Sequence, residues 1–449
     1  MSEYLGRNIA VGIAKEAVRG TAETTPDYWV RLLAQNHKDK ADYLSSQAAI
    51  GTIVETNSAE IDKQWSEGGF DAEIDVDSMG LLFLALFGGD TPTEVDAPDA
   101  YLHTFDLEES VNHQSLTLFT SEPGRDEAYP LSCMDSLSFN FERGKILDFS
   151  TNLMGQAGES STLTPAFTTP KAFRPKDFHL YLADDIDGLD AADEVFLKTM
   201  TLEFNKNLEP DDVLGLESPQ NFLNKVFKTG GKFSLFYTDD TYRSLFKAGT
   251  PKALRVELLN PSVELVAAIA ATGSLTSDNT NVADGATVTI GAKTYTFNTV
   301  LVNSANRILI GSDADDSLAN LKLAMTAGSG VGVKYGTGTT ASTEVTPGVI
   351  ASYILPLTAI TAGVAGNSLA TTETSTHLSF GGATLSGGAE AINPYIVFDF
   401  ARVYFSGYEE GNGRDDVKKQ DITLTFAMNT EEAEIVFGQI RVLNAVATY

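Results

Sequence analysis

A motif that occurs twice constrains this chain more than any other feature. The first copy opens with Gly68-Gly69-Phe70 and continues through Asp71-Ala72-Glu73-Ile74-Asp75-Val76. It ends in Asp77-Ser78-Met79-Gly80-Leu81-Leu82-Phe83-Leu84-Ala85-Leu86-Phe87. The second opens with Gly230-Gly231-Lys232-Phe233, continues through Ser234-Leu235-Phe236-Tyr237, and ends in Asp240-Thr241-Tyr242-Arg243-Ser244-Leu245-Phe246. In each, a double glycine precedes a short strand, and an Asp followed by Ser or Thr stands five residues before a Leu-Phe pair. An Asp side chain accepts a bond from the orphan amides of a first helical turn, and the apolar residues after it fall on one helical face. The motif predicts a strand, an N-cap and a short helix, with Asp77 and Asp240 as the caps. With the glycine pairs aligned, Lys232 puts the copies one residue out of register. A repeated unit of this kind points to a duplicated fold.

The chain has 449 residues, enough for about two to four domains with sizeable cores. Its 38 glycines, with many Thr, Val, Phe and Tyr residues, favour β-structure. A net charge of −30 argues against a surface that grips nucleic acid, since such a surface needs Lys and Arg to replace counterions. It disfavours anionic membranes equally, and its plainest consequence is solubility. Cys133 is the sole cysteine, which excludes an intrachain disulfide and a thiolate metal cluster. The first ten residues show no apolar signal core behind a basic end. The longest apolar run, residues 79–87, is far short of a bilayer span. The expectation is a soluble chain made in the cytoplasm, with no membrane partner.

Along the chain, Ile9-Ala10-Val11-Gly12-Ile13 forms a small apolar centre in a polar leader. It reads as an arm that reaches a neighbour, with Tyr4, Ile9, Val11 and Ile13 as its contact residues. Tyr28-Trp29-Val30-Arg31-Leu32-Leu33 reads as a strand, and residues 36–67 as a long hairpin-like excursion with a strand at 50–54. Leu137-Ser138-Phe139-Asn140-Phe141 and Ile146 to Leu153 alternate strictly around Arg143-Gly144, the pattern of a hairpin with one buried face. Residues 155–175, rich in Ser, Thr, Gly and Pro, read as a linker. Alternation resumes at Phe178-His179-Leu180-Tyr181-Leu182, at Lys198 to Phe204 and at Leu254 to Leu258.

Between residues 268 and 388 there are only 4 basic and 7 acidic residues, a much lower charge density than elsewhere. Such a shift marks a separate domain. It carries a hairpin, Thr287 to Ile290 and Thr294 to Phe297 around Gly291-Ala292-Lys293. It also carries a helix at 317–325 with Leu318, Leu321 and Met325 on one face. The charged, alternating chain returns with Tyr395 to Phe405 and Asp421 to Met428, so the low-charge block is inserted in a loop. The predicted architecture is mainly β. Residues 1–165 form a first domain, 166–267 with 389–449 a second, and 268–388 an inserted small β-rich domain. Each of the first two is a β-sandwich or barrel with a short helix.

No catalytic pattern emerges. His37, His103, His113, His179 and His377 are scattered, with none at the spacing of HExxH. No GxSxG elbow occurs. Gly328-Ser329-Gly330-Val331-Gly332 lacks the Lys-Ser/Thr of a phosphate loop and follows a helix instead of opening one. Asp185, Asp187, Gly188 and Glu194 stand at calcium-loop spacings, but Ala183 occupies the first position, so a solvated turn is the expectation. The abundant carboxylates select no glycosidase pair. No cofactor and no metal are expected, and the chain is read as a non-enzyme.

The opening Leu5-Gly6-Arg7-Asn8-Ile9-Ala10-Val11-Gly12-Ile13-Ala14-Lys15-Glu16, with Tyr28-Trp29-Val30, resembles the start of tailed-bacteriophage tail tube proteins. The end, from Tyr404-Phe405 to the strand at 421–428, is similar too. The insert resembles a module of phage virion proteins in four strings. They are Ala283-Asp284-Gly285-Ala286-Thr287-Val288-Thr289-Ile290-Gly291, Tyr335-Gly336-Thr337-Gly338-Thr339, Ala365-Gly366-Asn367 and Ser379-Phe380-Gly381-Gly382-Ala383-Thr384-Leu385-Ser386-Gly387-Gly388. The resemblance implies a structural subunit, without catalytic residues, whose sheets join around a channel in stacked rings. It implies a virion tail location, with self-association, tail terminator and tip proteins, a tape measure protein in the lumen and passing DNA as partners. It also implies that the insert projects outside the tube. Such rings are usually sixfold, and a duplicated fold lets a homotrimer imitate a hexamer. The rival readings are a capsid decoration protein, a glycan depolymerase and a bacterial surface-binding module.

Overall fold

Strict alternation becomes one-sided burial. In the computed structural model, which describes residues 5–96, 98–411, 413, 416–428 and 438–449, Leu137, Phe139 and Phe141 point inward while Asn140 and Glu142 are exposed. The chain divides into two compact units, Met1–Leu265 with Asn393–Tyr449, and Val266–Ile392.

In the first unit the strands that matter for function are β1 (Ala10–Lys15), β2 (Leu32–Gln35), β3 (Lys38–Ser46), β4 (Ser58–Gly68) and β5 (Phe70–Glu73). After helix α1 (Val76–Phe87) come β6 (Leu116–Glu122), β7 (Arg125–Glu142) and β8 (Asp148–Gly155). The second half contributes β9 (Phe178–Ala183), β10 (Thr199–Asn205), β11 (Lys228–Phe236), α2 (Thr241–Ala248) and β12 (Lys252–Leu259). After the insert come β13 (Tyr395–Gly411), β14 (Lys419–Ala427) and β15 (Gly438–Asn444).

The two halves have one topology. In the first, antiparallel pairing runs β1-β6-β7-β8-β5-β2. In the second it runs β9-β12-β13-β14-β11-β10. Both long strands carry a bulge, between Met134 and Ser136 in β7 and between Phe405 and Gly407 in β13. A bulge kinks and twists a strand, and each long strand serves two sheets, one on either side of its bulge. The bulges also fix the alignment. Met134 faces Leu153, which faces Gly68, and Phe405 faces Leu424, which faces Gly231. Gly68 is therefore equivalent to Gly231, Phe70 to Phe233 and Asp77 to Asp240, with no slip at Lys232. The glycines have distinct jobs. Gly68 has φ +130, and a Cβ on Gly69 would overlap the Thr151 carbonyl.

The halves are repeats inside one unit and not separately packed domains. They share one apolar core, in which Phe139 from the first half meets Phe204 and Phe398 from the second. Helix α1 lies inside this core, buried at every position except Asp77, and is apolar all round as such a helix must be. Its equivalent α2 buries only Tyr242, which rests on Phe233 and Phe405. Lys206 of the second half donates to the Ala85 carbonyl near the end of α1 at 2.8 Å, and burial pulls its ammonium down to about 8. The segment read as a linker is pinned down. Ala172 bridges Asp75, and Phe173 is fully buried.

The inserted unit spans Val266–Ile392 and has its own core. Four strands, Val345–Pro347, Ile354–Ala359, Thr272–Ser277 and Leu378–Phe380, make one sheet. Arg307–Leu309, Lys293–Asn298, Thr287–Ile290 and Thr371–Glu373 make the other. Helix α3 (Ala314–Thr326) is capped by Asp313, whose Oδ1 accepts from the Asp316 amide at 2.9 Å, and it buries Leu318, Leu321 and Met325.

Gly80 of α1 exposes the tightness of the first core. A Cβ there would overlap the ring of Tyr449, whose hydroxyl donates to the Asp77 carbonyl at 2.7 Å. Alanine normally gains about 1 kcal/mol over glycine inside a helix, whereas overpacking costs about 1–3 kcal/mol. Gly80→Ala is therefore expected to lower the melting temperature, and in a Tyr449→Ala background to raise it. The same sign in both backgrounds would refute the contact.

Candidate assembly surface

The cap residues sit differently from the prediction. Asp75 is the N-cap of α1, with extended backbone and Oδ1 accepting from the Asp77 amide at 3.1 Å. Its Oδ2 accepts from the Lys171 amide at 3.0 Å. Asp77 stands inside the first turn and pairs with the Lys171 ammonium at 2.8 Å. The helix begins two residues early because the buried Val76 continues the apolar face. Asp240 occupies the N-cap position of α2, but its side chain makes no cap bond. It accepts instead from the Tyr237 hydroxyl at 2.9 Å, and Asp239 accepts from the Thr241 amide.

The arm residues also change role. Tyr4 lies outside the described residues. Val11 and Ile13 are core residues of β1, both of whose edges are paired, to β6 and to Tyr28–Val30. Ile9 is half-buried just before β1. A strand held on both edges is not free to reach a neighbour. The segment that does project is the β3–β4 hairpin, whose strands pair from Lys38 opposite Glu67 to Ser46 opposite Ser58. Residues 51–53, expected as strand, form a bend at its tip. Tyr43, Leu44, Ile50, Ile53 and Val54 are exposed there, a concentration of apolar surface that a monomer has no use for.

Between hairpin and core lies a sheet with one polar face. Its order is β2/β3, β4/β5, β8, β7, β10, β11, β14 and the second part of β13. The side away from the core presents Asp71, Asn140, Ser150, Thr201, Glu203, Thr423 and Thr425, none of them buried. Acids on this face (Glu67, Asp71, Glu73, Glu142, Asp148, Glu203, Glu409, Asp421) outnumber bases (Lys38, Lys40, Lys228, Lys232, Arg402, Lys419). Its two outer edges, along β2/β3 and along 407–411 of β13, have no ladder partner among the described residues.

The histidines serve structure. His103 meets Asp90 at 3.0 Å, His113 sits between the Leu86 and Glu108 carbonyls, and His179 pairs with Glu194. The calcium-like loop does not converge. Asp185 accepts from the Gly188 amide while Glu194 turns to His179. Among the described residues no group of three His, Cys, Asp or Glu side chains is placed to hold a metal. Burial pushes the Cys133 thiol up, away from reactivity.

A family model described as phage tail tube protein matches residues 6–299. The chain belongs to the phage tail tube protein family. The match covers well over half the chain, from β1 through β12 into the inserted unit, and no curated protein matches. This tail tube protein is a structural component of the virion tail, of a family whose members assemble into a tube with other tail proteins. Among the described residues no helix is long and apolar enough to cross a membrane.

The cap geometry is testable. Asp75→Ala is expected to cost about 1–2 kcal/mol in urea unfolding. Asp77→Ala loses a partly exposed ion pair and should cost under about 1 kcal/mol, and Asp240→Ala under about 0.5 kcal/mol. A larger loss at Asp77 than at Asp75 would return the cap to Asp77.

Proposed function

We propose that three copies of this tail tube protein close into a ring, that rings stack into the tail tube, and that the tube conducts the genome into the host. The observation that carries this reading is the joint between β7 and β10. There the last strand of one repeat pairs with the first strand of the next, Phe139 opposite Leu202. Four strands from each repeat enter the polar-faced sheet, and the same joint made between copies continues it without an open edge.

Register gives the strand tilt, and the number of strands then gives the ring its size. Ala34, Asp71, Ser150, Ser138 and Glu203 stand in one row across the first repeat. Ala34 faces Asp71 and its equivalent Thr199 faces Ser234, so the row reaches the second repeat four residues beyond the starting position. Four residues over four strands is one residue of slip per strand. That is the proportion of an eight-stranded barrel of shear eight, whose strands tilt by about 36°. Three copies supply about 24 strands, which at ~4.8 Å spacing close a backbone cylinder roughly 45 Å across. Six copies need about twice that width.

The polar face lines the channel in this reading. Serine, threonine and asparagine side chains separate the charges on it, and the excess of carboxylates repels phosphates, so DNA slides instead of binding. The β3–β4 hairpin carries the exposed apolar tip that locks one ring to the next.

Electron cryomicroscopy of polymerised protein should show hollow tubes of threefold rings with pseudo-sixfold inner walls. Rings of six whole chains would overturn the trimer, and monomers under all conditions with no such tube in the virion would overturn the function. Replacing Ile50, Ile53 and Val54 by serine should leave the melting temperature unchanged, since all three are exposed, and abolish long tubes while leaving single rings. Tubes of undiminished length would show that the hairpin does not lock rings.

A further inference from the structure

We infer that copies join in one register, the outer edge of β13 of one copy adding to the β2/β3 edge of the next with Glu410 opposite His37. The inference rests on the ring reading and specifies its contact residue by residue. Within the chain, β7 meets β10 with Leu137, Phe139 and Phe141 opposite Phe204, Leu202 and Met200, all buried. The bulges make Phe139 equivalent to Glu410 and Leu137 to Tyr408. The ladders to β5 and β11 make Leu202 equivalent to His37 and Met200 to Gln35.

The two free edges are thus polar at the core-facing positions where the internal joint is apolar. Two polar atoms on this one edge are buried without a partner, Gln35 Oε1 and His37 Nε2. Buried polar atoms are nearly always satisfied, so two orphans on an unpaired strand mark a missing partner. His37 is 5% exposed, and its Nδ1–H donates to the Gly68 carbonyl at 3.2 Å, which leaves Nε2, like Gln35 Oε1, an acceptor in need of a donor. On the other edge the Tyr408 hydroxyl donates to Glu410 at 2.8 Å, and the Lys418 ammonium pairs with the same carboxylate and has further N–H groups to donate. A second copy placed by the internal template brings this cluster to His37 and Gln35.

The chemistry suits a joint that forms late. An apolar edge on a free subunit invites wrong pairing. A polar one stays soluble, and a polar pair that must be matched fixes register, the best-attested use of buried polar groups. The occupant is a second copy of this chain because the chain itself contains the joint being repeated.

Cysteine cross-linking tests the register. In a Cys133→Ser background, Lys38 and Glu409 lie directly opposite on the polar face in the inferred register. Lys38→Cys with Glu409→Cys should give covalent species up to trimers on oxidation of assembled particles. The pairs displaced by two residues, Lys40→Cys or Asn36→Cys with Glu409→Cys, should give about a tenth as much, as disulfide geometry tolerates little displacement. A stronger product from a displaced pair, or none from any pair in particles that do form rings, overturns the register and leaves the ring reading standing. Because the Cys133 thiol is buried, the same double variants in the Cys133 background serve where the Cys133→Ser parent does not form rings. A second measurement avoids new thiols. His37→Leu or Glu410→Phe alone should raise the critical assembly concentration about tenfold. The double variant, which recreates the internal pair, should restore it. Equal assembly by all four proteins overturns the pairing.

Discussion

An antiparallel sheet that ends in two open edges is the constraint on which the rest of this structure depends. Unpaired edge amides and carbonyls seek another strand, and most folds blunt them with proline, charge or a covering loop. Here both edges of the polar-faced sheet have no ladder partner among the described residues, yet each corresponds to a strand that is paired inside the same chain. β2/β3 corresponds to β10, and β13 corresponds to β7. In the proposed ring, the joint between copies repeats the joint between the halves.

The two halves share a topology but are not equal, and the inequality follows burial. Helix α1 is enclosed on every side and has become entirely apolar but for Asp77, with Gly80 admitting the Tyr449 ring. Helix α2 has kept Arg243, Ser244 and Lys247 and rests on its sheet through Tyr242. The same happened at the edges. At the internal joint Phe139 meets Leu202, while Glu410 and His37 stand at the equivalent positions of the two outer edges.

Much of the fold was legible because alternation and charge density are local signals. Leu137, Phe139 and Phe141 announced a one-sided strand, and the drop in charge after residue 268 begins within a few residues of the start of the compact unit Val266–Ile392. The errors came where a short pattern has two physical solutions. Asp75 and Asp77 both precede an apolar run, and only the buried Val76 between them decides where the helix starts. Val11 and Ile13 suit an arm as well as a core strand, and what separates the two is whether both edges find partners far along the chain. Gln35 and His37 escaped notice because the copies differ by two residues between these positions and the Phe70–Phe233 pair, so only the ladders place them at Met200 and Leu202. A polar residue at a repeat position that is apolar in the other copy marks a surface awaiting a partner.

The same comparison bears on the lining. Asp71, Glu73, Glu142 and Asp148 cluster on the first repeat's polar face, with Lys38 and Lys40 at its edge, while Lys228, Lys232 and Lys419 moderate the second. In the proposed ring of three copies the two faces alternate around the channel. A uniformly acidic wall would hold DNA away from every side at a cost that grows with each ring. Scattered lysines on a bed of hydroxyls reduce that cost, yet their spacing denies a phosphate backbone the dense run of cations that counterion release requires. In the proposed tube, passage without capture therefore depends on the mixture of charges on this face and not on the net charge of the whole chain, most of which lies off it.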